Sequence, residues 1–144
     1  MLEESVVEVL GTYGVRGVRT GDPGVWVPRT SSSSCISFGE DKDDLPRKIC
    51  AVGVHLRRYV SSFGIGFNVT SEPMAFFEKI VPCGLEGREA TSLECEGVPG
   101  VRVEEVAGGF VAAFVRRFNE GYASADGARI GEVYRREKYE ELLD

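Results

Sequence analysis

At 144 residues, 42% hydrophobic and 28% charged, the chain is long enough for one core and short for two. Its 17 basic residues against 23 acidic ones leave a formal net charge of −6, which argues against nucleic-acid binding because a basic stripe is needed to neutralise phosphates. No apolar run reaches the length of a membrane span, and the start MLEESVVEVLGTYG lacks the basic head and apolar centre of a secretory signal.

In chain order, Leu2, Val6, Val7, Val9 and Leu10 make a helical stripe. Glu3 and Glu4 suit its first turn, and Gly11 or Gly14 ends it. VRGVRTGDPGVWV predicts two short strands around a Gly-Asp-Pro-Gly turn. Residues 29–45 read as a Ser-rich, then acidic, loop. The stretch RKICAVGVHLRRYVSSFGIGFNVT predicts a hairpin. In its first strand Lys48, Cys50, Val52, Val54 and Leu56 lie on one side, and Ile49, Ala51, Gly53 and His55 on the other. Ser61-Ser62 is the expected connection, and Phe63, Ile65, Phe67 and Val69 alternate with Gly64, Gly66 and Asn68 in the second strand. Pro73 can open a short helix. Val103, Val106, Phe110, Val111, Phe114 and Phe118 recur at helical spacing, and the tail ARIGEVYRREKYEELLD reads as a charged surface helix. Strands mixed with helices predict an α+β fold, with residues 1–120 as the domain and 121–144 as a charged tail.

Cys35, Cys50, Cys83 and Cys95 form no C-x-x-C pair and no zinc spacing, and there is one histidine. No metal site or cofactor is expected, and the thiols are expected to be free in a reducing compartment. Asn68-Val69-Thr70 matches a glycosylation pattern by chance, inside an expected strand. Four features could carry chemistry. Cys83 stands between Pro82 and Gly84, a frame that favours a turn and an exposed thiol over a packed interior. Lys48 has its stem on the side expected to be buried, where desolvation disfavours the ammonium and makes the amine available as a base; the alternative is a strand-end lysine reaching to water. Gly64 and Gly66 leave a strip bare of side chains, along which an apolar chain, or equally a packed helix, could lie. His55 could activate Cys83 as in a thiol hydrolase, but alternation sets it opposite Lys48, beside Arg57 and Arg58.

Taken together, KICAVGV, SFGIGFNV, FFEKIVPCGLEG and TSLE resemble the lipoyl(octanoyl) transferases, with the blocks in family order and at nearly family spacing. The resemblance runs from about Leu2 to Phe118, includes GVWV, and is nearest the eukaryotic, fungal type of mitochondrial member. It implies a biotin/lipoate protein ligase-type domain with a mixed sheet, and a mitochondrial location. It also implies transfer of an octanoyl group from octanoyl-acyl carrier protein to a lysine of lipoyl domains, those of 2-oxoacid dehydrogenase complexes and of the glycine cleavage H protein.

On the matching positions, the resemblance implies that Cys83 is the nucleophile that carries the acyl thioester and Lys48 the acid/base. Ala51, Val52, Gly53, Gly64, Ile65 and Gly66 correspond to stretches that line the acyl site. Two departures accompany it. The family's R-G-G and H-G-P-G-Q block, which precedes the first helix, is absent, and Phe63 stands where the family usually has histidine. The expectation is therefore a C-terminal portion of the enzyme. A non-catalytic remnant of the fold and a Cys-His hydrolase using His55 are the alternatives.

Overall fold

The computed structural model describes residues 1–29, 45–77, 79–81, 84, 87–122 and 130–131. Helix α1, Leu2–Thr12, buries Val6, Val9 and Leu10 on one face and opens with Glu3 and Glu4 at its positive end. It stops as expected: the amide of Tyr13 bonds back to Leu10 O, and Gly14 takes φ +73°, a left-handed conformation that suits glycine. Helix α2, Met74–Phe77, is a single turn opened by the Pro73 carbonyl. Helix α3, Val103–Tyr122, lies against α1 through Val106, Phe110 and Ala113. Glu8 of α1 accepts from Arg116 and from Arg117 Nε (2.9 Å), clasping the two helices from outside. Val103 and Val111, expected on the buried stripe, are exposed. Ala113 takes a buried place instead, because the small side chain lets the helices approach.

Three antiparallel strands follow in the order β1 (Val25–Val27), β2 (Arg47–Arg57) and β3 (Val60–Phe67). The expected α+β class is therefore seen. Of the two strands expected around the Gly-Asp-Pro-Gly turn only β1 forms, and Val18 contributes an isolated bridge to Trp26. The hairpin is longer than expected. Its turn is Arg58-Tyr59, and Ser61 and Ser62 pair within β3 opposite Leu56 and His55.

The expected alternation of β2 also fails. Burial changes along the strand: Arg47, Ile49 and Cys50 are buried and Lys48 half-buried, whereas both faces of the far half, including Val54 and Leu56, are exposed. The cause at the near end is a bulge. Val25 faces Cys50 but its neighbour Trp26 faces Lys48, so Ile49 is an extra residue that re-aims the side chains around it.

Residues 89–94 close the near end. Lys48 N donates to Glu89 O (2.8 Å) and Thr91 N to Lys48 O (2.9 Å), a parallel bridge centred on Ala90. Leu93 N and Glu94 N then donate to Asn68 O and Val69 O, both at 3.1 Å. Asn68 lies just past β3, not inside it, and its side-chain amide donates to Thr91 O (3.0 Å). Cys50 is a free, buried thiol, but Cys95 is held in a disulfide, which corrects the expectation of free thiols throughout. Spacing along a chain does not tell which loops meet. Most of the Ser-rich loop and of the charged tail, with Cys35, Pro82 and Cys83, lie outside the described residues.

Candidate active site

Lys48 is the focus because Gly24 and Trp26 flank its side chain. Gly24 sits at φ +118°, and a Cβ there would stand 2.5 Å from Cys50 O and 3.4 Å from Lys48 Cε. The positive φ and the Cys50 carbonyl require glycine here, and the Lys48 stem packs beside it at ordinary contact distance. The amide of Gly24 is itself pinned by Glu3 of α1 (2.9 Å), whose other oxygen takes Arg19 Nε at 2.9 Å. Beyond Gly24 the ammonium lies 4.6 Å from the ring centroid of Trp26, which is fully buried.

The Trp26 indole N–H donates to Asp22 O (3.2 Å), and the guanidinium of Arg88 lies 5.0 Å from the ring centroid while pairing with Asp22 Oδ2 at 3.0 Å. Arg29 pairs with Glu89 at the same rim. Two cationic side chains thus share one indole, and Asp22 backs Arg88.

Beneath the ammonium is a cavity of about 250 Å³, lined by Trp26, Lys48, Ala51, Gly66, Phe67, Asn68, Phe77, Arg88, Glu89 and Ala90. The apolar residues among them suit a hydrocarbon chain, and Lys48 supplies a titratable amine at its wall. A second, nearly buried pair braces the strand beside it. Arg47 Nη2 pairs with Glu96 Oε1 at 2.7 Å, both nearly without exposure, and Thr91 Oγ1 donates to the same Glu96 oxygen. Since Thr91 N also holds Lys48 O, this ion pair fixes the backbone on which the lysine is carried. The Cys50 thiol is pushed up to about 12, chiefly by burial, with the negative charge of Glu3 adding to it. It is therefore no nucleophile at neutral pH.

Of the residues expected at the site, Lys48, Ala51 and Gly66 line the cavity. Val52, Gly53, Gly64 and Ile65 belong to the same hairpin but do not line it, because the cavity sits at the near end of the sheet. Cys83 falls outside the described residues. His55 lies on the exposed far half of β2, where its carbonyl accepts from Ser62 Oγ (3.5 Å), and it is not part of the cavity. Sequence reasoning missed Trp26, Phe67, Asn68, Phe77 and the 88–90 segment as lining. The GVWV block and the residues leading into TSL were the available signals.

The fold and the site together define a small α+β domain whose sheet end carries a lysine over a largely apolar cavity. The chain matches the lipoyl protein ligase A/B catalytic domain over residues 1–115, and it belongs to that family. It is 34% identical over 118 residues to the octanoyl-[acyl-carrier-protein]:protein N-octanoyltransferase LIPT2, mitochondrial, of Danio rerio, covering 82% of this chain and 45% of that protein. It is 37% identical over 118 residues to the putative lipoyltransferase 2, mitochondrial, of Drosophila melanogaster (81% and 43%). It is 34% identical over 121 residues to the octanoyltransferase of Flavobacterium psychrophilum (83% and 47%). The chain therefore spans about half the length of the curated relatives it matches.

Proposed function

We propose that this chain carries the acyl-transfer chemistry of an octanoyltransferase in protein lipoylation, with Cys83 as nucleophile and Lys48 as acid/base. The observation that carries the reading is the Lys48 amine, held by Gly24 and Trp26 at the wall of an apolar cavity. In the chain Cys83 falls between Phe77 and Arg88, both of which line that cavity.

The Lys48 ammonium first loses a proton to solvent; as the free amine it takes the proton of the Cys83 thiol, which attacks the carbonyl of octanoyl-acyl carrier protein. A new C–S bond forms, the carrier's C–S bond breaks, and the carrier leaves as its thiol with the proton from Lys48. The amine of a lipoyl-domain lysine then attacks the acyl-enzyme. A C–N bond forms, Cys83 departs as thiolate, and the surplus amine proton returns to it through Lys48. Exchange between thioesters is nearly balanced and aminolysis runs downhill, so the work is positioning and exclusion of water. Following the names of the animal relatives, we place the protein in the mitochondrion.

The test is mass spectrometry of the chain after incubation with octanoyl-acyl carrier protein. We expect one octanoyl adduct on Cys83, lost in Cys83→Ala and much slowed in Lys48→Ala, with a lipoyl domain discharging it to an amide. An adduct on another cysteine, or loss in His55→Ala but not in Lys48→Ala, would overturn the assignment.

A further inference from the structure

We infer that the far end of the β2–β3 hairpin is a docking surface for an acidic protein, the acyl carrier protein. The turn itself is the first reason. Arg58 and Tyr59 sit at φ +50° and +65°, both in the left-handed region. A two-residue turn with both centres there strongly prefers Asn-Gly, and a bulky residue in either place costs roughly 1–3 kcal/mol. This turn carries an arginine and a fully exposed tyrosine instead.

Charge is the second reason. Between Asp44 and Glu72 the chain has no acidic residue, although the whole protein has a net charge of −6. Arg57 and Arg58 are exposed, and neither has a carboxylate partner among the described residues. Apolar side chains surround them: Leu56 is 74% exposed and Val60 66%. A basic rim around exposed aromatic and aliphatic groups is complementary to an acidic protein surface with an apolar centre.

Reach is the third reason. From Lys48 to Arg57 the strand runs roughly 30 Å at about 3.3 Å per residue, which is about the diameter of a small domain. A carrier seated on the tip extends back towards the cavity. The choice of carrier rests on the octanoyl-transfer reading, whereas the surface does not.

The experiment compares the chain with Arg57→Gln and with the double variant Arg58→Asn/Tyr59→Gly. Binding of fluorescently labelled holo-acyl carrier protein is followed by anisotropy, and octanoyl transfer to Cys83 is measured from octanoyl-carrier and from the small thioester octanoyl-N-acetylcysteamine. The double variant installs the preferred turn residues, so its Tm should stay or rise. We expect carrier binding to weaken at least tenfold in both variants and to fall with added salt, with transfer from the small thioester unchanged. Unchanged carrier binding in both variants would overturn the docking surface while leaving the transfer reading intact. Preferential binding to phosphatidylglycerol vesicles would overturn it in favour of a lipid surface. Failure of the unmodified chain to bind the carrier, with or without activity on the small thioester, would overturn it as well; loss of both activities would remove the transfer reading too.

Discussion

Lys48→Met keeps the stem between Gly24 and Trp26 and removes only the amine. Octanoyl transfer should fall by roughly 10²–10⁴-fold, the usual size of a general acid–base contribution, while Tm changes little; equal rates for the two proteins would exclude the lysine from the chemistry. Cys50 supplies the internal control. Its thiol holds its proton up to about 12 in the folded protein against an ordinary 9.0. That contribution to stability is therefore intact below about pH 9 and is lost between there and about pH 12. Iodoacetamide at pH 8 should leave Cys50 unmodified until the protein unfolds, and urea midpoints should decline above pH 9. Prompt labelling of Cys50 in the native chain would contradict its burial. At this scale the sequence was informative about identity and poor on surroundings. The resemblance picked out Lys48, Ala51 and Gly66, but strand periodicity could not foresee the bulge at Ile49 or the indole under the amine, since both depend on how β1 registers against β2.

Among elements, the link from α1 through Glu3 to Gly24 and on to Lys48 makes a small loop decisive. Gly24→Ala demands both a strained φ and a clash with Cys50 O, so we expect a loss of at least about 2 kcal/mol in denaturant unfolding. An unchanged midpoint would mean that the loop is looser than its geometry implies. The α1–α3 clasp gives a pH signature of opposite sign to that of Cys50. The hydrogen bond from Arg116 holds the Glu8 carboxyl below the usual carboxylate range; desolvation opposes it, and Arg117 adds to the lowering. The clasp is thus intact above that range and fails as pH falls through the depressed value. Amide protection factors near Arg116 and Arg117, corrected for the intrinsic pH dependence of exchange, should fall on acidification in the parent chain and be less pH-dependent in Glu8→Gln. Helix α1 was legible because its apolar spacing and its glycine stop agree. The hairpin was legible in its strands but not in its turn, since Arg58-Tyr59 carries none of the residues that ordinarily announce one.

For the molecule as a whole, the family match and the share of relatives covered act together. Besides the hairpin tip, Val54, Phe76, Ile80 and Val81 are exposed apolar side chains, on a chain that spans about half the length of those relatives, and exposed apolar groups of this kind invite association. Sedimentation velocity is expected to show association that grows with concentration. Adding, as a separate polypeptide, the part of the Danio rerio relative that this chain does not match should reduce that association and raise octanoyl transfer; a monomer with transfer unaffected by the addition would count against it. The cavity residues drawn from β1, β2, β3, α2 and the 88–90 segment explain why the site could only be sketched from the chain. Its lining is assembled from places far apart in sequence.

Trp26 is the only tryptophan in the protein, it is shielded from water, and two positive charges flank its ring beside the cavity. Emission excited beyond the tyrosine absorption band therefore comes from a single chromophore at the cavity wall. The nearby charges tune the energy of its excited state, so neutralising Lys48 or displacing Arg88 changes its colour as well as its brightness. Occupancy of the cavity can thus be read optically in the unlabelled protein, with no dye attached and no turnover required.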